Sequence, residues 1–339
     1  MRAIVIPKHG GPEVLEVREL PDPQPKAGEV RVRVRAAGLN FAELMARQGL
    51  YPDAPKPPMV VGYEVAGEVD ALGEGVTSPP AGARVVAMCR FGGHAELVCV
   101  AASQALAMPD GMSFEEAAAI PVNYLTAHHM LFHVGALKPG ESVLVHMAAG
   151  GVGLAVLQLC RTVENVTVIG TASASKHEVL RAQGCTHAID YRTQDYAAEV
   201  RRLTGGRGVD LVLDALGGAD WKKGYRLLRP AGRLIAFGFA NLSAGGSRRP
   251  LRVARQFLGV PLFNPLSLMN ANKSVAGVNM GHLWSAPEIV RPQLDRVLEL
   301  YRQGFVKPHV DATFRFDQAA GAHRRIESRQ NVGKVVLVP

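Results

Sequence analysis

Glu141-Ser142-Val143-Leu144-Val145-His146-Met147-Ala148-Ala149-Gly150-Gly151-Val152-Gly153 decides the fold. Ser142 to Met147 is a short, β-branched apolar run, with Pro139-Gly140 before it and glycines after it. Such a run reads as a strand buried on both faces of a parallel sheet. From Val152 the apolar residues return at helical spacing, with Val152, Val156, Leu159 and Val163 along one stripe. Strand, glycine turn and helix in succession give a glycine fingerprint its meaning. A pyrophosphate has to approach main-chain N–H groups at a helix N-terminus, where partial positive charge already exists. Gly150 and Gly151 remove the Cβ atoms that would hold it off, and Gly153 lets the helix pack closely on its strand. Ala148 stands where the full pattern has its first glycine.

An acid about twenty residues past such a turn would bind a ribose 2′-hydroxyl and exclude a 2′-phosphate. Here the next strand is followed by Thr171-Ala172-Ser173-Ala174-Ser175-Lys176, hydroxyls and a lysine in place of an acid. These groups suit a phosphate, so the expected cofactor is NADPH. The alternative is that Lys176 only opens a solvated helix.

Working outward, strands and helices alternate on the C-terminal side as in a parallel α/β sheet. The expected series is strand 142–147, helix 152–163, strand 166–170, helix 176–183, strand 187–190, helix 196–203, strand 209–214, helix 221–228, strand 233–238 and strand 275–280. A helix is expected from Pro292 to Gly304 and a last strand from Val335 to Val338. On the N-terminal side the first 120 residues read as strands and turns. Val30, Val32 and Val34 alternate there with Arg31, Arg33 and Arg35, the period of a half-buried strand. The expected fold class is therefore α/β, a mostly-β first domain joined to a doubly wound parallel sheet. The expected boundaries are 1–121 completed by 289–339, and 122–288 for the cofactor domain.

At 339 residues the chain is long enough for two cores, and its composition is that of an ordinary globular protein. The net charge of +8 is spread along the chain, and no nucleic-acid-binding pattern appears. A basic bias also suits a polyanionic cofactor. Cys89, Cys99, Cys160 and Cys185 show no disulfide or C-x-x-C spacing, which points to a reducing compartment. The apolar piece Ala3 to Ile6 is too short for a signal peptide, and no run approaches a membrane span, so a cytoplasmic location is expected.

With these motifs in hand, the chain resembles the medium-chain dehydrogenase/reductase superfamily and, within it, the quinone oxidoreductase (zeta-crystallin-like) family. Gly62-Tyr63-Glu64-Val65-Ala66-Gly67 with Gly73 resembles the superfamily signature G-H-E-x-x-G-x5-G. Gly38-Leu39-Asn40-Phe41 and Gly49-Leu50-Tyr51-Pro52 resemble the family's N-terminal phrases. Val122-Asn123-Tyr124, the 146–153 turn, Cys160 to Thr167 and Thr171 to His177 are similar to the vesicle amine transport protein homologue subgroup. The resemblance implies a GroES-like first domain and a Rossmann-type second one.

It also implies a site. Asn40 and Tyr51 would face substrate and nicotinamide as the catalytic pair, and Thr126 would lie near the nicotinamide end. Ala149, Gly150, Gly151, Val152, Gly153 and Phe237 would line the cofactor. Ser173, Lys176, Tyr191 and Arg329 would hold the 2′-phosphate, with Asn331 a further cofactor contact. Tyr51 has the alternative of a packed lid, and Asn40 that of a turn residue. Zinc-dependent relatives use a Cys and the His of G-H-E as metal ligands. Asn40 and Tyr63 stand at those positions here, so no metal site is expected. His129 and His133, four apart on a helix, lack the rest of a metal motif.

The implied function is zinc-independent, NADPH-dependent reduction of quinones or α,β-unsaturated carbonyls by hydride transfer, acting on small apolar substrates. The alternative is an NADPH-binding sensor or membrane-associated protein with little turnover. A homodimer through the edge strand near 275–280 is expected. Residues 241–274 are long for a connection, with Gly245-Gly246, then Arg248, Arg249, Arg252 and Arg255, then apolar residues from Phe257 to Met269. They read as a substrate cap or, alternatively, as a membrane-lying segment.

Overall fold

The computed structural model describes residues 1–242, 254, 256–283 and 286–339. It divides into two compact units, Met1–Leu125 with Gly281–Pro339, and Thr126–Met280.

In the second unit six parallel strands lie in the spatial order His187–Asp190, Thr167–Ala172, Ser142–Val145, Val209–Asp214, Leu228–Ala236, Ser274–Gly277. Numbered along the chain, that order is 3-2-1-4-5-6, the doubly wound arrangement with its switch point beside the first strand. The quoted stretch supplies that first strand. Its interior explains why: Val143, Leu144 and Val145 are wholly buried, with Ile169, Val212 and Leu234 around them. The sheet ends on Ser274–Gly277, a four-residue edge strand paired with Leu228–Ala236.

The first unit is mostly β. The Arg2–Ile6 strand pairs antiparallel with Glu16–Glu19, and Pro12–Val14 forms a single 3₁₀ turn between them. The larger sheet centres on Glu29–Leu39, whose valines are buried while Arg33 and Arg35 face outward. That strand pairs antiparallel with Lys334–Val338 on one side and Glu64–Leu72 on the other.

Two expectations shift, and two elements are new. The C-terminal helix spans Pro287–Arg302, so its N1 proline is Pro287, and Pro292 lies inside it rather than opening it. The helix expected to carry His129 and His133 is two pieces, Pro121–His128 followed by a π-helical turn over His129–Val134. In that turn the rings of His129 and His133 stack, centroids 4.7 Å apart, rather than converging on a point. Val310–Arg315 and Ala319–Glu327 add a strand and a helix that the periodicity did not announce.

The segment expected as a cap or membrane element falls partly outside the described residues, including Gly245, Gly246, Arg248, Arg249, Arg252 and Arg255. Of its described part, Phe257, Leu258, Leu262, Leu266 and Met269 are exposed, while Phe263 packs against Tyr225 at 5.1 Å. Among the described residues no helix is long and apolar enough to cross a membrane.

Candidate active site

In a parallel sheet every strand ends at the same edge, so the loops that follow the strands gather there. After Val145 the chain turns through Met147, at φ +54, and enters the Gly151–Cys160 helix at Gly150. A Cβ on Gly153 would lie 2.5 Å from the Ala148 backbone, so helix and turn touch there and only glycine fits. Among the described residues no side chain caps this helix. Its first-turn amides are therefore open to an anion.

Beyond the next strand, Ser173 is buried and precedes a 3₁₀ turn ending in the half-buried Lys176. Tyr191 follows His187–Asp190 and is exposed. Phe237 follows Leu228–Ala236 and is half-buried. Ala149 to Gly153, Ser173, Lys176, Tyr191 and Phe237 thus share one sheet edge. Thr126 is buried in the Pro121–His128 helix of the same chain. Arg329 and Asn331 belong to the first unit, where Asn331 Nδ2 donates to the Gly333 carbonyl at 3.0 Å.

Behind the turn lies a buried polar group that sequence reasoning missed. His146 Nδ1 meets Thr171 Oγ1 at 3.1 Å. Asp214 Oδ1 accepts from the amides of Leu216 and Gly217 at 2.6 and 3.0 Å. His146 Nε2 faces Asp214 Oδ2 at 4.0 Å. Burial lowers the His146 pKa and raises that of Asp214, in each case against the pull of the other. Both residues sit at strand ends, where an apolar run gives no hint of a polar partner 68 residues away.

In the first unit, Asn40 follows the Glu29–Leu39 strand and caps the Phe41–Gln48 helix. Its amide is fully engaged. Nδ2 donates to Glu64 Oε1 at 2.9 Å and to Glu43 Oε1 at 3.2 Å. Its Oδ1 accepts from Lys334 Nζ at 2.6 Å. Both amide hydrogens of Asn40 are therefore taken by Glu43 and Glu64, which leaves none for a substrate oxygen. Glu43 also accepts from the Asn40 main-chain amide at 3.0 Å, and Glu64 Oε2 from Val122 N at 2.7 Å. Lys334 pairs with Glu64. Glu43 and Glu64 are 0% exposed and Lys334 3%.

Tyr51 follows the helix, two residues past its left-handed Gly49 cap, and is half-buried. Its ring meets that of Tyr63 edge-on at 6.3 Å, and Tyr63 lies 5.3 Å from Phe91. The Tyr63 hydroxyl is buried. Burial, then the nearby Glu43 and Tyr51, push its ionisation far above the usual phenol range, so it stays a neutral phenol. Among the described residues no cluster of His, Cys, Asp and Glu is arranged to hold a metal ion. The four cysteines are free thiols.

Fold and site define a class: one chain carrying a GroES-like β unit and a Rossmann-type unit with a glycine turn on its central strand. Residues 26–126 match the alcohol dehydrogenase GroES-like domain, and 183–337 match the zinc-binding dehydrogenase model. The synaptic vesicle membrane protein VAT-1 homolog of Danio rerio is 50% identical over 337 residues, 99% of this chain and 69% of that one. The crystal structure of the human VAT-1 homolog-like protein is 40% identical with a TM-score of 0.87, covering 100% of this chain and 98% of that one. That of Escherichia coli quinone oxidoreductase complexed with NADPH is 30% identical with a TM-score of 0.88 and covers both chains fully. The chain belongs to the VAT-1 homologues of the medium-chain dehydrogenase/reductase superfamily, alongside the quinone oxidoreductases.

Glu43, Glu64 and Lys334 are further residues that sequence reasoning did not single out. Glu64 lies within the quoted signature, and Lys334 heads an otherwise apolar strand. A charge at the head of such a run was the available signal.

Proposed function

We propose that this chain reduces quinones or α,β-unsaturated carbonyls with NADPH, without zinc. The observation that carries the reading is the uncapped helix behind Gly150 on the central strand of a 3-2-1-4-5-6 sheet. The residues fit the cofactor: Gly153 leaves no room for a side chain against Ala148, and Ser173 and Lys176 offer a hydroxyl and an ammonium where an acid would exclude a 2′-phosphate. In this reading the amides of Gly151 to Gly153 hold the pyrophosphate, and Ser173, Lys176, Tyr191 and Arg329 the phosphate. NADPH, when bound, would supply hydride to an electron-poor carbon, and the matching proton would come from water. Tyr51 donates a hydrogen bond to the substrate oxygen as negative charge grows on it. Asn40 serves by its place in the carboxylate cluster rather than as that donor. At the two ligand positions of zinc-dependent relatives, Asn40 Oδ1 is bonded to Lys334, and Tyr63 is a neutral phenol. This donor set does not suit zinc.

Purified protein is expected to oxidise NADPH steadily with simple quinones or enones, and to do so after exhaustive chelation. Zinc bound one-to-one that activity tracks would overturn the metal-free reading. No turnover across a broad quinone and enone panel would overturn the reductase reading. Lys176→Ala should weaken NADPH by about 1.5–3 kcal/mol, the worth of a charge-assisted hydrogen bond. That is roughly 10- to 150-fold in Kd. Fluorescence titration measures it, with NADH nearly unaffected. Equal wild-type affinity for both cofactors would count against the 2′-phosphate assignment.

A second reading has one observation in its favour. Phe257, Leu258, Leu262, Leu266 and Met269 expose apolar side chains on one short stretch, as a lipid- or partner-facing surface would. Tight NADPH binding without turnover, together with retention on anionic liposomes, would favour it.

A further inference from the structure

We propose that Lys334 is a positioning residue of this site: its ammonium fixes the Asn40 amide and thereby the start of the helix that leads to Tyr51. The inference rests on the reductase reading for its catalytic consequence, and on geometry alone for the positioning itself.

Strand register brings the group together. Lys334–Val338 runs antiparallel to Glu29–Leu39, pairing Val335 with Leu39 and Val336 with Gly38. One step further along, Lys334 lies across from Asn40. On the other side Ala37 pairs with Val65, which places Glu64 beside Gly38. Gly38 has to be glycine, because a Cβ there would lie 2.6 Å from the Ala118 carbonyl and against the Glu64 carboxylate. Gly333, in the left-handed region at φ +78, turns the chain into the strand just before Lys334.

An asparagine amide has two donors on nitrogen and an acceptor oxygen; an ionised carboxylate can only accept from the nitrogen, but a Glu43 that keeps its proton could also donate to the oxygen. The ammonium removes that freedom. Only Oδ1 can face a cation, so Nδ2 has to face Glu43 and Glu64. Asn40 N is simultaneously held by Glu43, three residues into the helix. The first turn of Phe41–Gln48 is thereby locked, and Tyr51 lies two residues past the Gly49 cap of that helix. A substrate donor needs its supporting residues fixed to within a fraction of an ångström.

The test compares Lys334→Met and Lys334→Arg with wild type in the full chain, with asparagine labelled by ¹⁵N. Hydrogen exchange of the Asn40 side-chain amide, assigned by its loss in Asn40→Asp, should be slow in wild type and Lys334→Arg. In Lys334→Met it should be at least tenfold faster. In turnover with a quinone, Lys334→Met should lower kcat at least tenfold with the KM for NADPH held within twofold. Lys334→Arg should restore kcat to within about threefold. If Lys334→Met does not fold, Lys334→Gln replaces it. That side chain is one bond shorter, cannot reach Asn40 Oδ1, and should show the same faster exchange. Wild-type-like protection in the folded Met or Gln variant overturns the positioning claim. A wild type that turns over no quinone or enone removes the reductase reading alone and leaves the exchange comparison to decide this one.

Discussion

Glu64→Leu should destabilise the Met1–Leu125/Gly281–Pro339 unit by about 3–5 kcal/mol, the cost of stranding one member of a buried ion pair. Lys334 is nearly sealed from water and has Glu64 as its charge partner. Without that carboxylate it retains a single neutral acceptor, Asn40 Oδ1, and Val122 N loses its acceptor as well. The size of the loss comes from desolvation, not from the attraction itself. Removing both charges should therefore recover much of it. Glu64→Leu/Lys334→Met is expected to be at least 1.5 kcal/mol more stable than Glu64→Leu, since apolar replacement of a whole buried pair is often close to neutral. Denaturant unfolding followed on the transition of this unit gives both numbers. A single-variant cost below about 1 kcal/mol, or a double variant no better than the single, would mean that the pair is not sealed as described.

Most of the architecture could be read from the sequence, because it is written in local periodicity. The run Ser142–Val145 and the stripe beginning at Val152 each bury one continuous surface, and a buried surface leaves its period in the chain. The elements that were not legible have weaker signatures. Val310–Arg315 lies at the edge of its sheet and is half-exposed, so Val310-Asp311-Ala312-Thr313 shows no clean alternation. Ala319–Glu327 packs alanines, Ala319 and Ala322, whose small side chains mark a buried face faintly.

The candidate site divides along the same line. Gly150, Gly151, Gly153, Ser173 and Lys176 belong to one strand–turn–helix unit and the strand after it, so their meaning is local. The Asn40 cluster is not local. Lys334 reaches Asn40 across 294 positions and Glu64 across 270. Only the antiparallel register makes them neighbours, and no spacing rule encodes that. The resemblance singled out Asn40 as one of the catalytic pair. It could not show that both amide hydrogens turn inward, because that depends on Lys334. The Arg248 to Arg255 run lies outside the described residues, and its reading as cap or membrane contact gains nothing from the fold.

Glu43 should make the chain less stable as pH rises from about 4.5 to about 7. Its carboxyl is wholly buried, and burial is the largest cause raising its pKa from 4.5 to about 7; Lys334 and the Asn40 amide oppose the rise, and Glu64 adds to it. The sign follows from linkage. Between those two pH values the folded chain keeps a proton on Glu43 that the unfolded chain has lost, so each step up in pH favours unfolding. At about 1.4 kcal/mol per unit, the rise from 4.5 to about 7 amounts to about 3.5 kcal/mol in full and is complete above pH 7. Buried His94, lowered to about 4, and buried His323, also lowered, act in the opposite direction below pH 6.5. A bare wild-type pH curve therefore mixes both signs, and the difference between wild type and Glu43→Gln isolates the carboxyl. Glu43→Gln keeps the shape and an acceptor for Asn40 N but cannot ionise. It should match wild type near pH 5 to within about 1 kcal/mol and exceed it by about 2–3 kcal/mol at pH 8. Parallel curves for the two proteins from pH 5 to 8 would show that Glu43 titrates as a solvated acid, and that the cluster around Asn40 admits water.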